Sequence, residues 1–491
     1  MDLVNLLALS VPILIGYLIL LLLLPNYSDG RVRIGYLWKL FLAPGIGFAL
    51  VSCIYFFWSV IFNPDRAIIG LLFIESIMVV LLTFTYYFSW KRMKGNDPNS
   101  KQKKLPTINL ITILATLVFI IVVLSFLDAW QRESFQTPFG DWDAWAIWNL
   151  RAGFIASGGE WLKGFSQAIA WSHPDYPLLL PLNVARMWVI LGDRSVLVPI
   201  LLGLVFQLSL VGLLATSVRI FRGNLQGIIA GIVGLVVVFM SLSFKLYADI
   251  PIAYYFLAAN ALIFFGDVTS TNKQKYLILG GFLVGASLWT KNEGWAFLIS
   301  IILSKLLLDL VSRNNLSQSA KWWGYLLIGL LPVLLVTVYF KIAYAPPGDI
   351  LTSLDLTTIK VKILSVSRYL TILRFARNQF MDYGNLIVPV LPLLIIYGII
   401  VGISFPRMQT RGILFLTLRI MFLGIIYFFI YLLTPKDLNW HLSTSMERLV
   451  TQIMPSFLFL YFLVISTING KKGESKSTFS LDWSRLGSKS G

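Results

Sequence analysis

Apolar residues fall along the chain in long runs, at about 4–24, 40–62, 67–89, 106–127, 196–218, 225–244, 250–266, 276–290, 294–311, 322–343, 384–404, 412–433 and 449–468. A helix crosses the hydrocarbon layer with about 20 predominantly apolar residues, so the pattern predicts thirteen membrane-spanning helices in an all-α polytopic protein. The run Leu178 to Leu191 is shorter, follows Pro177, contains Pro181 and carries Arg186. It is expected to lie beside the membrane or re-enter it without crossing.

Two longer segments, Asp128 to Asp193 and Tyr344 to Tyr383, interrupt the runs. In the first, Trp145, Trp148, Phe154 and Ile155 recur at helical spacing and predict an interfacial helix over 143–157. In the second, apolar residues alternate with Lys360, Lys362, Arg368, Arg374 and Arg377, which predicts a surface helix over 356–378. The Ser-, Gly- and Lys-rich tail after Lys471 is expected to be disordered. These features divide the chain into additional N-terminal spans (1–105), a seven-span module (106–343) with a long loop at 128–195, a loop segment (344–383), C-terminal spans (384–468) and the tail (469–491).

Composition agrees with the pattern: 57% of the 491 residues are hydrophobic and 13% charged, about half the charged share of a soluble domain. The net charge of +17 would suit nucleic acid, but in a polytopic chain retention of Lys and Arg on the cytoplasmic side explains it first. The reading is therefore no nucleic acid and a lipid bilayer as partner. If 178–191 does not cross, every basic short loop, from Arg31 and Arg33 through Lys91 to Lys104, Arg219, Arg222, Lys273, Lys275 and Arg411, falls on one face. That places the amino terminus outside and the carboxyl terminus in the cytoplasm. The single cysteine, Cys53, lies in an apolar run and excludes an intrachain disulfide.

On this topology the polar motifs gather on the outer face. Gly140-Asp141-Trp142-Asp143 sets two carboxylates beside the bilayer, which is costly unless they are solvated, paired or bound to a cation. Asp141 suits a helix cap, leaving Asp143 as a general base for an acceptor hydroxyl or amine. Ser172-His173-Pro174-Asp175-Tyr176-Pro177 holds His173, Asp175 and Tyr176 in extended backbone, or serves purely as a turn. Asp249, before Ile250-Pro251, is either an N-cap or a site carboxylate. Lys291 and Glu293 break an apolar hairpin, as an interfacial ion pair or as binding groups. Lys436, His441 and Arg448 supply cationic groups that either anchor span ends or hold a phosphate. Carboxylates and cations on one membrane face suit a lipid phosphate displaced by an activated nucleophile. No cofactor is identified, and a divalent cation on Asp141, Asp143 and Asp175 is left open.

At these residues the chain resembles the glycosyltransferase C superfamily, membrane transferases that use polyprenyl-phosphate sugars, such as protein O-mannosyltransferases and lipid A aminoarabinose transferases. The motifs that carry the resemblance are Asp143 within Asp-Trp-Asp-Ala-Trp, His173-Pro174, and Tyr247-Ala248-Asp249-Ile250-Pro251, over about 128–300. The family's acidic motif often reads Asp-Glu, whereas Ala144 follows Asp143. The resemblance implies an inverting transferase in a bacterial plasma membrane, with a polyprenyl-phosphate sugar donor and a lipid, glycan or protein acceptor. Asp143 would deprotonate the acceptor. Lys291, Arg448, His441 and His173 would face the phosphate, while Asp249 and Glu293 orient these groups or the sugar. A transporter or flippase of lipid-linked sugars, or a surface-polysaccharide polymerase or ligase, are the competing readings.

Overall fold

In a computed structural model the residues described are 3–24, 35–94, 109–240, 244–269, 272–312, 315–348, 356–384, 389–404, 406 and 409–467. The tail expected to be disordered lies outside them. The described chain is helical, with one isolated bridge between Ile403 and Ile465. Helices α1 (Leu3–Leu23), α2 (Tyr36–Phe62), α3 (Pro64–Lys94) and α4 (Leu110–Gln136) come first. The segment after α4 follows as a π-helical turn (Ala144–Asn149) running into α5 (Leu150–Ala156), two 3₁₀ stretches and α6 (Leu179–Leu191). Next come α7 (Leu197–Arg222), α8 (Asn224–Met240), α9 (Asp249–Val268), α10 (Lys273–Thr290), α11 (Glu293–Ser312) and α12 (Leu316–Ala343). The chain ends with α13 (Leu356–Leu364), α14 (Val366–Asp382), α15 (Val390–Val401), α16 (Thr410–Leu433) and α17 (Leu438–Val464).

Ten of these helices are long and apolar enough to cross a membrane: α1 to α4, α7, α9, α11, α12, α16 and α17. The other three apolar runs form shorter or more polar helices. α8 has 17 residues and α15 has 12, and the first turn of α10 carries Lys273 and Lys275. The run at 178–191 forms the 13-residue α6, as its prolines and length suggested. The surface helix expected over 356–378 is broken at Ser365 into α13 and α14. The last span begins earlier than its apolar run at 449–468, being helical from Leu438.

Helix α9 lies at the centre of the molecule and is buried from Asp249 to Gly266. Around it small residues let backbones approach, as is usual between apolar helices. A Cβ on Gly281 of α10 would lie 2.0 Å from the Leu326 carbonyl, and one on Gly329 of α12 would lie 1.8 Å from that of Ile278. Pro44 lacks the amide proton that would bond Leu40 O, and two tyrosines of α9 bond to the α2 backbone around this break. The Tyr254 hydroxyl accepts from the Gly45 amide and donates towards the Phe41 and Leu42 carbonyls, and the Tyr255 hydroxyl donates to Gly45 O. Such rescue matters because no water replaces a lost partner in a bilayer.

The first three helices are fastened to α6 by a closed ion pair. Arg186 Nε and Nη2 donate to the two oxygens of Glu75 at 2.7 and 2.5 Å, and Nη1 donates to Ala8 O at 2.6 Å. Both side chains are 2% exposed.

Candidate active site

The acidic motif reaches its position through backbone geometry. Gly140 has φ +71°, and a Cβ there would come within 2.7 Å of Lys245 O, so glycine lets the loop after α4 pack on the turn before α9. The Asp141 amide then donates to Lys245 O. Asp141 accepts from the Trp142 amide and stands 4.0 Å from Lys245 Nζ; its side chain meets the adjacent amide and not the second or third amide that a cap serves. The π-helical turn starting at Ala144 buries Trp148 and leaves Trp145 exposed, so the two tryptophans do not share a face as the spacing suggested.

Asp143 points instead at α17. Its Oδ2 accepts from Arg448 Nη2 at 2.5 Å, while Oδ1 has no partner among the described residues. Arg448 Nε donates to Asp249 Oδ2 at 3.0 Å. Asp249, fully buried at the first position of α9, also accepts from Lys291 Nζ at 2.8 Å and Gln452 Nε2 at 2.6 Å. No side-chain cap is formed there, so Asp249 is the hub of a charge network and not an N-cap. Lys291 lies in the break between α10 and α11, and its Nζ is 2.7 Å from Glu293 Oε1. The Tyr427 hydroxyl donates to Gln452 Oε1, and the Arg448 guanidinium lies 4.7 Å from the centre of the Tyr247 ring. Asp143, Asp249, Lys291, Glu293 and Arg448 thus form one network: two cations among three carboxylates, open to solvent on the Arg448 and Glu293 side (both 18% exposed).

A second cluster abuts the first. Asn292, between Lys291 and Glu293, donates to Asp175 Oδ2 at 2.9 Å. Lys341 donates to Asn292 Oδ1 at 2.8 Å and to the Asp175 carbonyl, with its Nζ 3.6 Å from the Asp175 carboxylate. Arg151, wholly buried, donates to the carbonyls of Ser172 and Tyr176 and so fixes the turn that presents Asp175. Burial lowers its pKa to about 10, with Asp175 pulling the other way. The residues 172–177 are not plain extended backbone: His173 is left-handed at φ +50°, a conformation costing a non-glycine residue roughly 1–2 kcal/mol. Its ring stacks on Tyr176 at 5.1 Å, and Tyr176 stacks on Trp148 at 5.6 Å.

Tyr176 stands between the two clusters. Burial, then the carboxylates of Glu293 and Asp175, push its phenol well above the ordinary value. Its hydroxyl has no hydrogen-bond partner among the described residues. The Tyr247 phenol is raised too, by burial and then Asp143.

Lys436 and His441 do not join the network. Lys436 lies over the exposed Trp440 ring, and His441 Nδ1 pairs with Thr434 Oγ1 at 2.9 Å, its ring against Tyr431. They form the rim. Asp141, Asp143 and Asp175 do not converge either: among the described residues no three His, Cys, Asp or Glu side chains are grouped to hold a metal ion. Gln452, Asn292, Lys341 and Arg151 belong to the site and escaped the sequence reading. Gln452 was the easiest to find, one helical turn from Arg448 on the same face.

Beside the network a small, half-open cleft runs between α6, α7 and α9. Leu180, Val184, Leu202, Phe206 and Ile250 give it apolar walls. Its lining also includes Trp148 and Tyr247, the two rings that touch Tyr176 and Arg448. No known protein family, curated protein or solved structure matches the chain.

Proposed function

We propose that this protein is an inverting glycosyltransferase of the glycosyltransferase C type. It would move a sugar from a polyprenyl-phosphate donor to an acceptor at the outer face of a bacterial plasma membrane. The observation that carries the reading is the meeting of Asp143, Asp249, Lys291, Glu293 and Arg448 at one end of the helix bundle, next to an apolar cleft. A polar reaction centre joined to an apolar trough fits a substrate that is half sugar phosphate and half hydrocarbon. In this reading all thirteen apolar helices cross. The amino terminus is outside, so the basic residues at the far end of α9, such as Lys273 and Arg411, are cytoplasmic.

Arg448 occupies one oxygen of Asp143, leaving Oδ1 to accept the proton of the acceptor hydroxyl or amine. The acceptor oxygen or nitrogen bonds to the anomeric carbon from the side opposite the leaving group. The bond from that carbon to the phosphate oxygen breaks, and its electron pair departs with the lipid phosphate. Lys291 and Arg448 offset the charge that develops there, since each retains donors beyond those given to Asp249 and Asp143. His441 and Lys436 line the approach.

The test is transfer of radiolabelled sugar from a polyprenyl-phosphate donor by purified protein in liposomes. Asp143→Asn should lower it on the order of 10²- to 10⁴-fold, the usual contribution of a general base, at unchanged protein level. Full transfer by Asp143→Asn removes the role given to Asp143. Translocation of donor without product would make the protein a flippase, and competition by diphosphate-linked but not monophosphate-linked sugars would make it a polymerase or ligase.

A further inference from the structure

Helices α13 and α14 carry two kinds of cation that behave differently. Lys362 and Arg368 turn inward. Lys362 donates to the carbonyls of Leu433 and Thr434, and Arg368 to those of Tyr431 and Leu432, so together they satisfy the carboxyl end of α16. Lys360, Arg374 and Arg377 turn outward and make no hydrogen bond or ion pair among the described residues.

The outward cations adjoin an apolar stripe. Val366, Leu370 and Leu373 are 69%, 60% and 56% exposed, and Arg374 and Arg377 follow Leu370 and Leu373 by one helical turn. The opposite side of α14 packs inward through Ile372, with Tyr369, Phe375 and Ala376 partly buried on the core. From Leu356 to Met381 the sequence has no Asp or Glu. Three arginines in 17 residues prevent α14 from crossing the bilayer. An exposed apolar stripe flanked by unpaired cations is the pattern of a helix lying in the interface, its aliphatic side chains among the acyl chains and its cations at the phosphates.

We infer that α13 and α14 form a docking surface for anionic phospholipid headgroups of the leaflet on which the site opens. The charge decides the occupant. A zwitterionic headgroup offers no net charge to three free cations, and a second copy of this chain would oppose like charges. The chain's own tail, with Lys471, Lys472, Lys476, Arg485 and Lys489, is cationic as well. The inference depends only on the protein being embedded in a bilayer and not on the transferase reading.

The full chain can be labelled with a fluorophore at Leu370→Cys, Cys53 being buried. It is then reconstituted into phosphatidylcholine vesicles containing equal fractions of brominated phosphatidylglycerol or brominated phosphatidylcholine. At low salt the anionic quencher should be the more effective by about fivefold or more, the ratio expected from a single cation near an anionic surface. In about 1 M salt, where the screening length is about 3 Å, the preference should largely vanish. Lys360→Gln/Arg374→Gln/Arg377→Gln should bring the two quenchers to parity with helix content and transfer activity unchanged, since none of the three contacts the charge network. Equal quenching in the wild type, a preference that survives the triple substitution, or no quenching by either lipid would each overturn the inference.

Discussion

Two carboxylate-paired arginines, Arg186 and Arg448, do opposite things with the same side chain. Arg186 uses all three of its nitrogens, two on one carboxylate and one on a backbone carbonyl, and both members of the pair are 2% exposed. Charge is balanced, and burial shuts both groups away from any ligand. Arg448 divides itself between two carboxylates from different parts of the chain, sits on a tyrosine ring, is 18% exposed and keeps Nη1 without a partner among the described residues. Its network holds one more carboxylate than cations. A closed, neutral pair fastens helices together, whereas an open, unbalanced one can exchange partners when a charged substrate arrives.

The contrast is broken most directly at the closed pair. Arg186→Ala leaves Glu75 buried and alone, and should lower stability by about 3–5 kcal/mol in a thermal or denaturant titration in detergent. Replacing both residues by leucine should recover most of that loss. An Arg186→Ala protein as stable as wild type would mean that the first three helices are not held through this pair. At the open network, Arg448→Lys keeps the charge but cannot bridge Asp143 and Asp249 in a plane. Transfer should fall on the order of 10²-fold, as when a single stabilising donor is lost, with little change in the unfolding midpoint. Equal stability losses for the two arginine variants would erase the distinction.

Smaller effects sharpen it. Gly140→Ala forces a side chain into a left-handed position against Lys245 O, which should cost about 1–2 kcal/mol and reduce transfer by displacing Asp143. The Tyr176 phenol supplies a pH test. It stays protonated in the folded protein well beyond the ordinary value of 10.0, whereas the unfolded chain releases the proton near that value. The folded state therefore binds more protons above pH 10, and stability is fully present below that pH and declines as pH rises through it. Tyr176→Phe should flatten the decline in a pH series of unfolding curves. Smallest of all, Lys163→Ala at the surface pair with Glu160, where both side chains are about two-thirds exposed, should shift stability by less than about 0.5 kcal/mol.

Much of the site was legible because a membrane makes polar residues conspicuous. Asp249, Lys291, Glu293 and Arg448 interrupt or border apolar runs, where an ionisable group is costly enough to imply a purpose. Asn292, Gln452 and Lys341 were overlooked because a single amide or a lysine at the end of a span is unremarkable until its partner is known. The reading of Asp249 as a possible cap failed for a related reason. Position in the sequence says that a helix begins there but not that three donors, one from the break between α10 and α11 and two from α17, converge on its carboxylate. Breaks are equally hard to foresee: nothing in the alternation over 356–378 marks Ser365 as the point where one helix becomes two.

The sequence by itself determined an all-helical chain with enough long apolar segments for a multi-pass membrane protein, and it identified which polar residues a bilayer would not tolerate at random. Span length and hydropathy are local quantities, and the surrounding lipid enforces them segment by segment. Only the tertiary structure decided that Arg448 joins Asp143 and Asp249 while Lys436 and His441 stay at the rim, and that Arg186 is spent on Glu75. Those choices depend on how separate helices meet, through contacts such as Gly281 against Leu326 and Gly140 against Lys245, and the pairing of charges more than a hundred residues apart is written in no local pattern.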